Sequence, residues 1–202
     1  MLAALWFTTL PAQAVVTFFN DETAFDTATS GLLFTTDDFS TDVGRDNPIV
    51  FESGVTSFNV GGPPFGTDNA IFGGVYNNAI EGAGNVASVS FVWTFPEPVV
   101  AVGLQYLGVD EDALNVLVDG ALRALRESAD ADPLNGFFGF TTTNPVTQIT
   151  FNTFSPTPID FFDFDDLQFA AAPAVVPLPG ALPLLLGSLA GLAFAARGPR
   201  SQ

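Results

Sequence analysis

Along most of the chain, apolar residues alternate with polar ones or cluster in short runs bounded by Gly, Pro, Asn and Asp. That period of two is a strand pattern rather than the 3.6-residue pattern of a helix. It predicts strands over Val15–Phe19, Leu32–Phe39, Ile49–Phe51, Val55–Val60 and Val86–Phe95. It predicts five more over Val99–Tyr106, Asn115–Val118, Gly136–Thr142, Gln148–Phe154 and Phe161–Phe169. One helix is expected over Asp21–Thr29, with Asn20 or Asp21 as its N-cap. Asp119-Gly120 sits where a tight hairpin would join Asn115–Val118 to Ala121–Leu125, and Gly61-Gly-Pro-Pro64 and Pro96-Glu-Pro98 interrupt elements. About ten short strands joined by turns predict an all-β fold: an antiparallel two-sheet β-sandwich, jelly-roll-like, over residues 15–169. No repeat period is visible, which disfavours a solenoid.

Charge sharpens this picture. The chain carries 22 acidic residues against five basic ones, for a formal net charge of −17. All of the acids lie between Asp21 and Asp166. Such a surface repels phosphates, so nucleic acid is excluded as a partner. Strong negative charge alone suggests disorder, but 22 phenylalanines supply a core. Cysteine and histidine are absent, which removes thiolate nucleophiles, thiolate and imidazole metal sites and the usual general base.

The two ends follow different rules. Residues 1–14, MLAALWFTTLPAQA, are mostly apolar and end in Ala12-Gln13-Ala14, the small-x-small pattern of a signal-peptidase site, so cleavage before Val15 is expected. No basic residue precedes Leu2, and the signal is therefore expected to begin upstream of Met1. At the other end, residues 170–180 are an Ala/Pro/Val linker and residues 181–196 contain no charge. Counted from Val175 to Ala196 the stretch spans 22 residues. That length is enough for a hydrocarbon core of about 30 Å at about 1.5 Å per residue. A transmembrane helix over 181–196 is expected, followed by a short basic cytoplasmic tail over 197–202 carrying Arg197 and Arg200.

Val176, Pro177, Leu178, Pro179 and Gly180, followed by an apolar helix and terminal arginines, resemble the PEP-CTERM sorting signal, in its VPLPA variant. The resemblance implies an exosortase as partner, a membrane-embedded protease that reads Val176–Pro179 and releases or transfers the protein. Gly180 stands where the family usually has alanine, and the basic tail is thin. The order of features within 32–169 also resembles such proteins: Phe95-Pro-Glu-Pro98, then VVAVGLQY, a VLVDG hairpin, Phe137-Phe-Gly-Phe140, and a last strand ending Asp165-Asp-Leu-Gln-Phe169. The resemblance implies export, transient inner-membrane anchoring, and then the cell surface or extracellular matrix, with exopolysaccharide as an expected partner there.

Asp160, Asp163, Asp165 and Asp166 crowd the last strand, and Asp37-Asp38 lies in an early strand that a jelly roll places near it. Hard oxygen ligands at this density suit a structural Ca²⁺, with Asp38, Asp163, Asp165 and Asp166 as ligands. Alternation puts Asp163 and Asp165 on one face and Asp166 on the other, so convergence needs a bulge. The competing reading is a solvated acidic edge that discourages edge pairing. Asp110-Glu-Asp112 lacks an EF-hand's Gly and terminal Glu and reads as a solvent loop, and Arg123, Arg126 and Glu127 read as local ion pairs. With 22 acids and no motif singling out a pair such as Glu81, Glu97 or Glu111, no catalytic residue is assigned, and the chain is not expected to be an enzyme. Two functions therefore stand: a non-enzymatic exported surface or matrix protein, and a calcium-dependent carbohydrate-binding module delivered by the same route. The second needs exposed aromatics, for which Trp93, Tyr76 and Tyr106 are the candidates; Trp93 shares a strand face with Phe91 and Phe95, which favours the core.

Overall fold

The computed structural model describes residues 15–60, 69–81, 90–109, 114–125, 135–153 and 159–173. The predicted signal, sorting motif, membrane helix and basic tail, and the Asp110–Asp112 run, all lie outside these residues. Among the described residues no helix is long and apolar enough to cross a membrane. The described structure is antiparallel β with one short helix. Its strands are β1 (Val16–Phe19), β2 (Phe34–Asp37), β3 (Ile49–Val50), β4 (Thr56–Val60), β5 (Ala70–Phe72) and β6 (Val75–Glu81). They continue with β7 (Ser90–Leu107), β8 (Leu114–Val118), β9 (Ala121–Ala124), β10 (Gly136–Thr153) and β11 (Ile159–Ala171).

Hydrogen bonding links these strands into one 11-stranded network, in the order β5-β6-β11-β7-β10-β8-β9. Strands β1 and β2 add to β10 and β11, and β4, carrying β3, adds to β7. The 18-residue strands β7 and β10 organise the network because each changes neighbours halfway. Ser90–Thr94 of β7 pairs with β4 and with the second half of β10, whereas Val99–Leu107 pairs with β11 and with the first half of β10.

β7 is not straight. Trp93 and Tyr106 are thirteen residues apart, which in an extended strand is about 43 Å. Yet Phe164, the register partner of Tyr106, places its ring 5.4 Å from the Trp93 ring. The strand therefore turns back on itself, and the register to β10 jumps from Thr94↔Gln148 to Val99↔Val146 at Pro96-Glu97-Pro98. Sequence patterning read Phe95-Pro-Glu-Pro98 as the end of one strand and the start of another. Proline cannot donate to a ladder, so the local signal breaks while the strand continues through a bend. β10 bends opposite it, where Thr142 Oγ1 donates to Asn144 O at 2.9 Å.

The bend lets both halves contribute to one phenylalanine-rich core. Phe91 and Phe151, register partners, stack with centroids 4.4 Å apart. Phe162 lies 5.5 Å from Phe91 and Phe164 lies 5.3 Å from Phe151. Trp93, Tyr76, Phe39 and Phe51 complete this cluster.

A second, smaller cluster sits under helix α1 (Glu22–Ala28). Asp21 is the N-cap, its Oδ1 accepting from Ala24 N–H at 2.8 Å, which satisfies one of the free amides of the first turn. The helix buries one residue, Phe25, against Phe137, Phe19 and Phe34. Room for that ring comes from two strand glycines. A Cβ on Gly139 would lie 2.8 Å from Phe25 Cδ2, and one on Gly103 would lie 3.0 Å from Phe25 Cε1.

Sequence patterning missed β5 and β6. Their inward positions include Tyr76 and Asn78 rather than aliphatics, which hides the alternation, but Gly73-Gly74 was a usable signal. Both residues have positive φ (67° and 85°), the requirement of the two-residue hairpin turn that joins these strands. The Asp119-Gly120 turn, with φ of 45° and 81°, joins β8 to β9 as predicted.

Candidate functional site

The β5–β6 hairpin and the Val43↔Ile71 bridge shape a cleft of about 570 Å³. Phe72, 73% exposed, and Val75 form its apolar side, and Asp42, Arg45, Asn77 and Asp163 form its polar side. Its acids are already engaged. Asp42 Oδ1 accepts from Gly73 N–H at 3.0 Å, which fixes the hairpin turn, and Asp163 Oδ1 accepts from Asn77 Nδ2 at 2.6 Å. Asp163 thus pins β11 to β6 across the register pair Asp163↔Asn77.

The other aspartates proposed as metal ligands sit further along β11. The structure does pair β2 with β11, with Asp37 opposite Leu167, so the early acids lie beside the last strand. It also contains the bulge that convergence requires: Asp166 adopts φ 48°, and the register to β7 shifts between Asp165 and Gln168. The bulge returns Leu167 and Phe169 to the core and leaves Asp166 exposed. Asp38, fully exposed, accepts from Ser40 N–H at 3.1 Å, and its bonds to the Ser40 side chain and backbone hold its carboxyl below the ordinary value. Burial pushes the Asp165 carboxyl upward; the Asp166 and Asp38 charges push it further, against a lowering hydrogen bond from Asp166 N–H at 2.8 Å. Asp165 therefore feels the charges of Asp166 and Asp38, while Asp163 is bonded to Asn77. Among the described residues, no group of three or more acidic side chains is arranged to hold a metal ion. Neighbouring Asp37, buried, has a local duty, accepting from Phe39 N–H at 3.1 Å and Ser53 N–H at 2.9 Å.

The aromatic candidates for a binding platform are all interior. Trp93 and Tyr76 are 0% exposed and Tyr106 is 7% exposed. Tyr76 anchors a buried polar network that sequence reasoning did not foresee. Its hydroxyl lies 2.9 Å from Ser57 Oγ, accepts from Asn78 Nδ2 at 2.6 Å and donates to Asn69 Oδ1 at 3.1 Å. Asn78 Nδ2 also donates to Asn59 Oδ1 at 3.0 Å, and Asn69 Nδ2 donates to the carbonyls of Asp46 and Ser57. Burial raises the Tyr76 hydroxyl well above its ordinary value, so it stays protonated and able to donate. Asn78 Oδ1 and Asn59 Nδ2 have no partner. The signal for this network was the pairing of Ser57 with Asn59 and of Tyr76 with Asn78, polar residues two apart on one strand face.

Arg123 lies exposed on edge strand β9, and Arg126, Glu127, Glu111 and the Val176–Gly180 motif lie outside the described residues. No protein-family model and no curated protein matches the chain. Among solved structures, the chain is similar to the K1 cleaved adhesin domain of Lys-gingipain (Kgp) from Porphyromonas gingivalis W83, at 12% sequence identity over 70% of this chain and 99% of that one, with a TM-score of 0.37.

Proposed function

We propose that the chain is a non-enzymatic exported surface or extracellular-matrix protein, sorted by an exosortase through its C-terminal tail. The observation that carries this reading is the segment Val176-Pro-Leu-Pro-Gly180, then an uncharged apolar run, then Arg197 and Arg200. The end of the β domain supports it. Strand β11 stops at Ala171, and the Ala172 N–H makes a last bond to Pro98 O at 2.8 Å. The recognition segment thus begins just after the last ladder bond, where cutting it would leave the β domain whole. In this reading the two halves of the bent strands form the two faces of a jelly-roll-like sandwich.

Replacing Val176–Pro179 with alanines tests the reading in a host that carries an exosortase. The expected result is a full-length form retained in the inner membrane while the wild type is released. Identical mass and location for both would overturn it. The carbohydrate-binding alternative loses the aromatic platform first expected for it, because Trp93, Tyr76 and Tyr106 are core residues. Its metal, a Ca²⁺ on Asp38, Asp163, Asp165 and Asp166, is addressed by a titration described below.

A further inference from the structure

Register explains the lining of the cleft at the β5–β6 hairpin. Ile71 and Phe164 both pair with Tyr76, and all three are buried, so the residues on either side of them face outward. One outward row is Ala70, Asn77 and Asp163, and a second is Phe72 and Val75, with Asp165 next on the same face of β11. The Val43↔Ile71 bridge brings Asp42, Gly44 and Arg45 alongside. Gly44 and Ala70 add no bulk, and a Cβ on Gly44 would meet nothing within 4 Å, so the space stays open. Its volume, about 570 Å³, lies within the roughly 300–1,000 Å³ of small-ligand sites.

The lining selects the charge of an occupant. Two carboxylates, Asp42 and Asp163, stand against one guanidinium, Arg45, which is already engaged within the protein. Both carboxylates are fixed through Oδ1, by Gly73 N–H and by Asn77 Nδ2. The chain as a whole carries a formal charge of −17, whose field repels anions and draws cations. A neutral occupant would desolvate the carboxylates without compensating them. A bare metal ion needs more oxygens than the cleft offers: among the described residues no group of three or more acidic side chains is arranged to hold one. The cation that fits brings its own N–H donors, and an apolar body to lie against Phe72 and Val75.

We propose that this cleft binds an oligoamine, a small molecule with two or more ammonium groups spaced along an aliphatic or pyranose body. Separate ammonium groups donate to Oδ2 of Asp42 and Oδ2 of Asp163, the charge-assisted bonds that a carboxylate makes best. The exposed Phe72 ring takes the C–H groups between them and attracts the cation through its π face. Such an amine has two sources, an aliphatic polyamine and an amino-sugar oligomer, and the test separates them. The proposal goes beyond the sorting reading and does not rest on it, since amine binding and tail processing are read by separate assays.

The test is isothermal titration calorimetry of the purified full chain, in uncharged detergent at low salt. The titrants are spermidine, the glucosamine trimer and, as its neutral counterpart, the N-acetylglucosamine trimer. One saturable site is expected for spermidine, for the glucosamine trimer or for both, and none for the acetylated trimer. Three variants should each weaken binding about tenfold or more: Phe72→Ala, Asp163→Asn, which keeps an acceptor for Asn77, and Gly44→Leu, which fills the open space. Asp119→Asn removes one exposed acid at the β8–β9 turn, outside the cleft, and should change the affinity by less than about twofold. Near-ultraviolet dichroism like that of the wild type identifies the folded variants to be compared. No saturable binding of either amine, or equal binding of the acetylated trimer, overturns the proposal. So does a loss with Asp119→Asn as large as with Phe72→Ala and Asp163→Asn, which would mean attraction to the whole acidic surface.

Discussion

Helix α1 rests on the sheet through one ring lying over two glycines, which makes its docking testable by adding a single methyl group. Gly139→Ala places a Cβ 2.8 Å from Phe25 Cδ2 and 2.9 Å from Phe137 Cε1, closer than real Cβ atoms approach. Gly139 is not among the positive-φ glycines, so the backbone accepts alanine, and relief of glycine's entropy cost would by itself add about 0.5–1 kcal/mol. Overpacking costs about 1–3 kcal/mol. The net expectation is a loss of about 1–2 kcal/mol, or roughly 2–8 °C in Tm for a domain of this size. Phe25→Ala alone empties a buried site and costs about 3–5 kcal/mol. In that background the Phe137 ring can tilt into the vacated space, so Gly139→Ala becomes neutral or stabilising. The double-mutant cycle should return a coupling of at least about 1 kcal/mol. Urea denaturation followed by Trp93 emission measures all four corners. An equal cost for Gly139→Ala in both backgrounds refutes the claim that Phe25 occupies the space above the glycine.

Tyr76→Phe strands Ser57, Asn69 and Asn78 around a missing hydroxyl and should lower stability by about 1–3 kcal/mol in the same urea assay, while a change within error would mean the network contributes nothing. For Asp165 the sign follows from its folded value lying above its unfolded one: the charged form is penalised at neutral pH, and that penalty fades as pH falls toward the ordinary carboxylate range. Asp165→Asn should therefore melt at or above the wild-type temperature at pH 7, with the gap closing on acidification; a gap that widens in acid would contradict this. With Asp163 bonded to Asn77 and no acidic group among the described residues arranged for a metal, millimolar Ca²⁺ is expected to leave the melting temperature unchanged, and a rise of several degrees abolished by Asp165→Asn would support the Ca²⁺ site. Trp93 emission should be blue-shifted and insensitive to iodide once Trp6 has been replaced by Phe, and ready quenching would place Trp93 outside the core.

Where local chemistry and tertiary structure agree, the chain was readable from its residues. Asp21 caps a helix because a carboxylate fits its N-terminal amides, and Asp119-Gly120 turns a hairpin because both positions take positive φ. The bend at Pro96-Glu97-Pro98 was visible only as a break, since a periodicity signal cannot distinguish the end of a strand from a strand that changes neighbours. The hairpin of β5 and β6 escaped because Asn77, Asn78 and Tyr76 do not look like a strand until their hydrogen bonds to Asp163, Asn59 and Ser57 are seen. The acidic cluster was half legible: alternation and the need for a bulge could be read, but not that Asn77 would claim Asp163.

The most direct test of the account is the intact mass of the mature protein recovered from its native host. Processing at both ends predicts a chain that begins at Val15 and ends near Val176–Gly180, recovered outside the inner membrane. A membrane-bound species still ending at Gln202 would contradict it.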